Sequence, residues 1–281
     1  MPIDLDDYRE KSLESWDRFA PNWERNRDFL LSATGPLADR LVDRRDAQPG
    51  GTVLELAAGT GDTGFKVAER VGDEGKLIST DFAPSMVEVA RAAGEARGLG
   101  NVEYRVLDAE RMDLDDSSVD GVLCRFGYML MADPAAALAE TRRVLRDGGR
   151  LSFAVWASPE RNPWAAIPGM TMVEQGHMPA PEPGAPGIFA MADPDRIRAL
   201  VTGAGFEEPD IEEVNVSWGY DDVDVYWERT LELAAPIADA FNGLDDQSRE
   251  KVKAAVMERA GERLSADPNR LDGVALAVLT S

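Results

Sequence analysis

Lysine is nearly missing from this chain. Lys11, Lys66, Lys76, Lys251 and Lys253 are the only five, and arginine supplies the rest of 30 basic residues set against 52 acids. The net charge of −22 and a pI near 4.4 exclude a basic patch for nucleic acid or for an anionic membrane surface. The acids are spread along the chain, as a salty cytoplasm or a biased genome would leave them. One cysteine, Cys124, excludes an internal disulfide and a multi-cysteine metal site, and one histidine, His177, excludes a poly-histidine site; no metal is expected. No run approaches the ~18 apolar residues that span a bilayer. The start, MPIDLDDYRE, lacks a basic stretch followed by an apolar one, so no signal peptide is expected and the chain reads as soluble and cytoplasmic. What is present, 281 residues with 44% hydrophobic, suffices for one large α/β domain with an elaboration, or two small domains.

The stretch that organises the rest is Thr52 to Gly64, TVLELAAGTGDTG. An apolar run, Val53, Leu54 and Leu56, ends in small residues and then glycine, which reads as a buried strand turning sharply into a helix. Gly59, Gly61 and Gly64 give the spacing G-x-G-x-x-G, shared by several nucleotide-binding families. Glu55 narrows the choice. A dinucleotide would put a pyrophosphate over this turn, and a carboxylate there would repel it. A ligand carrying a sulfonium and an ammonium but no phosphate would be attracted, by roughly 1 kcal/mol at ~4 Å in water and about 4 kcal/mol at an effective dielectric of 20. S-adenosylmethionine has those features; NAD on a plain Rossmann turn is the alternative.

The elements that follow alternate strand and helix. Lys76 to Thr80 reads as the second strand, with Asp81 at its end, 20 residues past the second glycine, where a carboxylate can accept hydrogen bonds from ribose hydroxyls or cap the helix at Pro84. Asn101 to Leu107 reads as the third strand, ending at Asp108, a candidate acceptor for an adenine amino group. Val119 to Cys124 is the fourth, Asp133-Pro134 opens a helix, and Leu151 to Trp156 is the fifth.

This order, with an acid at successive strand ends, resembles the class I S-adenosylmethionine-dependent methyltransferases. VLELAAGTGDTG, ISTDFAPSMVEVA, VLDAERMDLDDSSVDGVLC and TRRVLRDGGRLSFAVW stand where that family has its motifs. WDRFAPNWERN and GTGD make it most similar to the ubiquinone/menaquinone-biosynthesis C-methyltransferase branch, over roughly residues 15–156. The resemblance implies a Rossmann-like α/β fold with a seven-stranded mixed sheet, its last strand antiparallel between the fifth and sixth. It also implies cofactor roles. Glu55, Ala57, Gly59 and Gly61 line the amino-acid end; Asp81 takes the ribose; Phe82 and Met86 flank the adenine; Asp108 and Ala109 hold its edge; Arg125 contributes mainly backbone. Ala58 replaces a Cys or Gly common in relatives, and CRFG after the fourth strand replaces the Asn/Asp-Pro-Pro-aromatic tetrad of adenine and glutamine-amide methylases. The cysteines that arsenite methylation needs are missing too.

Four segments are expected: an N-terminal helical cap at 1–46, a core at 47–220 with a lid at 157–192, a helical insertion at 221–272, and a last core strand at 273–281. In the cap, Trp16, Phe19 and Trp23 share one helix face that either packs on the core or closes over the cofactor, and Leu37 to Val42 reads as a helix. The lid is rich in Pro, Gly and Met. In the insertion, Trp227, Leu231, Ala234, Ala235 and Ala238 line one face of a helical pair, beside the substrate mouth or at a homodimer contact. His177 and Tyr128 are the candidate general bases. The expected activity is methyl transfer from S-adenosylmethionine to a small apolar or quinol-like acceptor. An NAD-dependent oxidoreductase keeps the glycines and Asp81 but leaves Glu55 and Asp108 without a role; a non-catalytic S-adenosylmethionine-binding module is the third reading.

Overall fold

In a computed structural model, residues 4–45, 47–182, 184–266 and 269–281 are described. Residues 1–3, 46, 183, 267 and 268, which the expected cap, lid and insertion include, lie outside them. In chain order the elements are α1 (Leu5–Arg25), α2 (Arg27–Arg45), β1 (Thr52–Leu56), α3 (Asp62–Val71), β2 (Lys76–Asp81), α4 (Pro84–Ala96), β3 (Val102–Val106), β4 (Val119–Arg125), α5 (Pro134–Val144), β5 (Leu145–Trp156), α6 (Pro163–Glu174), α7 (Pro194–Gly203), β6 (Asp210–Gly219), α8 (Val223–Leu233), α9 (Ala235–Asn242), α10 (Asp246–Ala266) and β7 (Arg270–Thr280). The strands form one sheet in the order β3-β2-β1-β4-β5-β7-β6. All pairs are parallel except those of β7, which runs antiparallel between β5 and β6, as the resemblance implied.

The central strands are apolar because both faces are covered. Val53, Leu54 and Leu56 of β1 are at most 1% exposed, and Val122, Leu123 and Cys124 of β4 are fully buried beside them. Asp133 caps α5 by accepting from the N–H groups of Ala135 and Ala136, with Pro134 at the first helical position.

Three expectations change. The two N-terminal helices are present but longer than expected: α1 ends at Asn26, which is 1% exposed and whose amide donates to the Asn22 carbonyl, and α2, expected only over Leu37 to Val42, starts at Arg27 and runs on through Pro36. A third of the expected lid is helix α6, which the prolines concealed; Pro163 opens it at a position that needs no N–H donor, and Pro168 sits inside it. The helical pair is three helices. Ala234 is the cap between α8 and α9, and Pro236 follows at the start of α9, so the expected continuous face is broken there. Trp227 and Phe241 close the joint, ring centroids 4.8 Å apart.

Candidate active site

The carboxyl ends of β1 and β4 meet at the centre of the sheet. The chain leaves β1 in a left-handed turn: Ala57, Gly59 and Gly61 have φ of 50°, 55° and 81°. Ala57 accepts a conformation that disfavours a Cβ. At Gly61 a Cβ would lie 2.5 Å from Phe65 Cζ, so only glycine fits; above Gly59 the space is open. Gly127, after β4, closes the other side, where a Cβ would meet Cys124 Sγ at 2.6 Å and Ala57 Cβ at 2.7 Å.

Glu55 does not face the open cleft. Its carboxyl accepts from the Gly64 N–H of α3 at 2.7 Å and bonds the Ser79 hydroxyl of β2 at 3.1 Å, and the residue is 2% exposed. Burial pushes its pKa up to about 8, against the hydrogen bonds and Arg125, which pull it down. It is therefore mostly protonated at pH 7, and it holds the glycine turn against the sheet from behind. That also explains the third glycine: a Cβ on Gly64 would fall on the Glu55 carboxyl, 2.6 Å from its Cδ.

Asp81 at the end of β2 is tied to the same turn. One oxygen accepts the Gly59 N–H at 2.9 Å and the other the Ala83 N–H at 3.1 Å, and burial raises its pKa to about 6. Phe82 is half-buried and Met86 is 1% exposed; both belong to a cluster with Ala20 and Ala83, flanked by Trp16 and Trp23. Asp108 turns its loop by accepting the Glu110 N–H at 2.9 Å, and Ala109 is buried beside it. Arg125 ends β4 with its side chain bonded to Thr63 and Thr34. The ten cofactor candidates thus gather along the carboxyl ends of β1 to β4.

The two base candidates do not join them. Tyr128 is fully buried, its hydroxyl 2.7 Å from Thr141 Oγ1 and its ring edge-on to Phe153. Burial raises its pKa well above that of a free tyrosine. So placed, it has no open path to an acceptor. His177 follows the far end of α6, about 15 Å of helix rise from Trp164.

What the sequence reading passed over is a chain of rings at the same edge. Phe126, itself at φ 65°, stacks on Trp156 at 4.1 Å and 12°. Trp156 meets Trp164 at 4.9 Å, Trp164 meets Trp218 at 4.7 Å, and Trp218 meets Phe29 at 5.4 Å. These rings come from the ends of β4, β5 and β6 and from α6 and α2. Asn162, fully buried, accepts from the Trp164 indole and from the Val274 N–H and donates to the Ala157 and Val274 carbonyls, which fixes Trp164 on the start of β7. The signal available was the position of Phe126, Trp156 and Trp218 at or just past a strand end.

Helix α1 lies over this edge. Tyr8 donates to the Leu130 carbonyl after β4, Arg9 pairs with Glu110 after β3, Asp17 accepts the Ser85 N–H at the start of α4, and Asn22 donates to the Glu232 carbonyl of α8. The aromatic face of α1 therefore packs on the core at the residues that follow β2.

A methyltransferase-domain family profile matches residues 53–149, from β1 to the start of β5. A ubiquinone/menaquinone biosynthesis C-methyltransferase from Teredinibacter turnerae is 37% identical over 122 residues, 43% of this chain and 49% of its own length. The chain thus spans about half of that relative. One of the same description from Shewanella oneidensis is 32% identical over 179 residues, 60% of this chain and 71% of that protein. The chain belongs to the class I S-adenosylmethionine-dependent methyltransferases. In fold it is similar to a solved methyltransferase from an antibiotic biosynthesis pathway of Anabaena variabilis, with a TM-score of 0.59 at 16% identity over 88% of this chain and 96% of that one. The family's cofactor fits the residues present. Buried carboxyls stand at the ends of β1 and β2, backbone passes close to the open space over Gly59, and Asp81 keeps lone pairs for hydroxyl donors. Among the described residues no cluster of His, Cys, Asp and Glu suits a metal, and no helix is long and apolar enough to cross a membrane.

Proposed function

We propose that this methyltransferase acts on a small, apolar aromatic acceptor of quinol type. The observation that carries the reading is the ring chain Phe126, Trp156, Trp164, Trp218 and Phe29, set beside the β1–β4 crevice. A flat apolar ring slides against such a wall with favourable offset or edge contacts. The Trp218 indole N–H is buried without a partner among the described residues, a donor left over for an oxygen on the acceptor. The quinone biosynthesis named in the relatives' descriptions agrees in kind.

In this reading Asp81 accepts from the ribose hydroxyls, Phe82 and Met86 flank the adenine, Asp108 and Ala109 meet its edge, and Ala57, Gly59 and Gly61 pass along the amino-acid end with Glu55 supporting them. The cofactor brings a methyl on a good leaving group. The chain's share is alignment and exclusion of water, done by the ring wall and by α1 with α8 across the mouth. With Tyr128 turned into the core and His177 at the end of α6, proton removal falls to no side chain of the ring wall, so the acceptor is one that reacts as its anion. The segments follow the same division: a cap of α1 and α2, a core with α6 in its lid, and α8 to α10 as an insertion beside the mouth.

The test is transfer of labelled methyl from S-adenosylmethionine to a panel of alkylated hydroquinones, phenols, amines and amino acids. Label in the apolar phenolic members, lowered by Trp218→Ala, is the expected result. Label only in amines or amino acids would overturn the acceptor class, and binding of NAD in place of S-adenosylmethionine would return the oxidoreductase.

A further inference from the structure

Arg125 sits where the sheet changes direction. The segments after β1 and β4 leave toward opposite edges, so the crevice between their carboxyl ends is the switch point at which open α/β sheets take their ligands. The guanidinium is held there from two sides. Its Nε donates to Thr63 Oγ1 at 2.8 Å and its Nη1 to Thr34 Oγ1 at 3.0 Å. The Thr34 hydroxyl spends its own proton on the Leu30 carbonyl, so a lone pair is what it offers the arginine.

Both partners are neutral, and Nη2 has none among the described residues. The two nearby acids are engaged elsewhere. Asp62 pairs with Arg27 and Arg97, and Glu55 is bonded to Gly64 and Ser79. A guanidinium cannot shed its charge, and a half-buried cation without a paired anion is costly. Burial accordingly lowers the arginine's pKa. Thr63 lies in the first turn of α3, so the open edge of the guanidinium stands near the positive end of that helix, beside the glycine turn.

A cation and a helix N-terminus at one point make a receptor for a carboxylate. We propose that the Arg125 side chain receives the carboxylate of the cofactor's methionyl end and so sets the preference for an intact amino acid there. This rests on the S-adenosylmethionine reading and goes beyond the backbone contact that the resemblance implied.

Calorimetric titration tests it, with S-adenosylhomocysteine and its decarboxylated analogue as paired probes, on the wild type, Arg125→Gln and Arg125→Lys. The wild type is expected to prefer S-adenosylhomocysteine by roughly 10-fold to 100-fold, as for a charge-assisted hydrogen bond. Arg125→Gln is expected to bring the two ligands within about threefold by weakening only the carboxylated one, and Arg125→Lys to keep part of the preference. Three results would overturn the proposal: a wild type that does not discriminate, which needs no variant to see; Arg125→Gln weakening both ligands equally; or Arg125→Gln changing neither. A wild type that binds neither probe refutes the cofactor reading itself, a different outcome from any of these.

Discussion

The pairing of Glu55 with Gly64 makes a sharp prediction because one atom decides it. In Gly64→Ala the new Cβ lands on the Glu55 carboxyl, 2.6 Å from Cδ. The far end of a glutamate can usually step aside. Here it is fully enclosed, and its oxygens satisfy the Gly64 N–H and bond the Ser79 hydroxyl. Withdrawing it leaves buried polar groups unpaired at about 1–3 kcal/mol each, and forcing the atoms together costs a similar amount. Against this, alanine in place of glycine inside a helix gains about 1 kcal/mol. The net expectation is a loss of about 2–4 kcal/mol, read from denaturant unfolding.

The control that isolates the cause is a double-mutant cycle with Glu55→Ala. Removing the carboxyl vacates the space, so Gly64→Ala on that background should cost nothing or become mildly stabilising. A coupling of about 2 kcal/mol or more is expected, well outside the few tenths found for independent sites. If Gly64→Ala costs the same on both backgrounds, the carboxyl is not what the glycine makes room for, and the account of the third glycine fails.

Asp81→Ala should weaken binding of S-adenosylhomocysteine by about 1–3 kcal/mol, since both the proposed ribose acceptor and the tie to the Gly59 N–H are lost; unchanged affinity in a folded variant would remove Asp81 from the site. Asn162→Ala should lower stability by about 2–4 kcal/mol and alter near-ultraviolet circular dichroism as Trp164 loses its anchor, whereas a surface-like loss below about 0.5 kcal/mol would refute the anchoring. Both Glu55 and Asp81 have raised pKa values, to about 8 and about 6, from 4.5 and 3.8. In the folded chain they hold protons that the unfolded chain has released, so their contribution to stability is full below about pH 4 and is lost as pH rises to about 8. A cofactor that favours the ionised forms should then bind more tightly, with proton release, between pH 5 and 8. Calorimetry in buffers of different ionisation enthalpy reads this directly, and binding independent of both pH and buffer would refute it.

The sheet was legible because each part of its pattern is local. A run such as VLEL followed by glycines needs no partner to be read as a buried strand and a turn, and Asp133-Pro134 states a helix start in two residues. Helices were harder where proline entered them. Pro36 and Pro168 lie inside α2 and α6, held there by packing that propensity does not include. Glu55 shows where the charge argument overreached. The acid was rightly singled out, but its direction depends on α3 folding back over β1, which brings Gly64 to it across nine residues.

The proposed acceptor wall was illegible for a related reason. Phe29, Phe126, Trp156, Trp164 and Trp218 are scattered over 190 positions and share no periodicity. Only the parallel run of β4, β5 and β6 carries three of them to one edge, and only Asn162, reaching from the turn after β5 to Val274 in β7, seats the fourth. The cofactor half of the site is written in short motifs because it is built from consecutive residues at strand ends. The proposed acceptor half is written in contacts, and that is the half that has to differ between enzymes sharing one methyl donor.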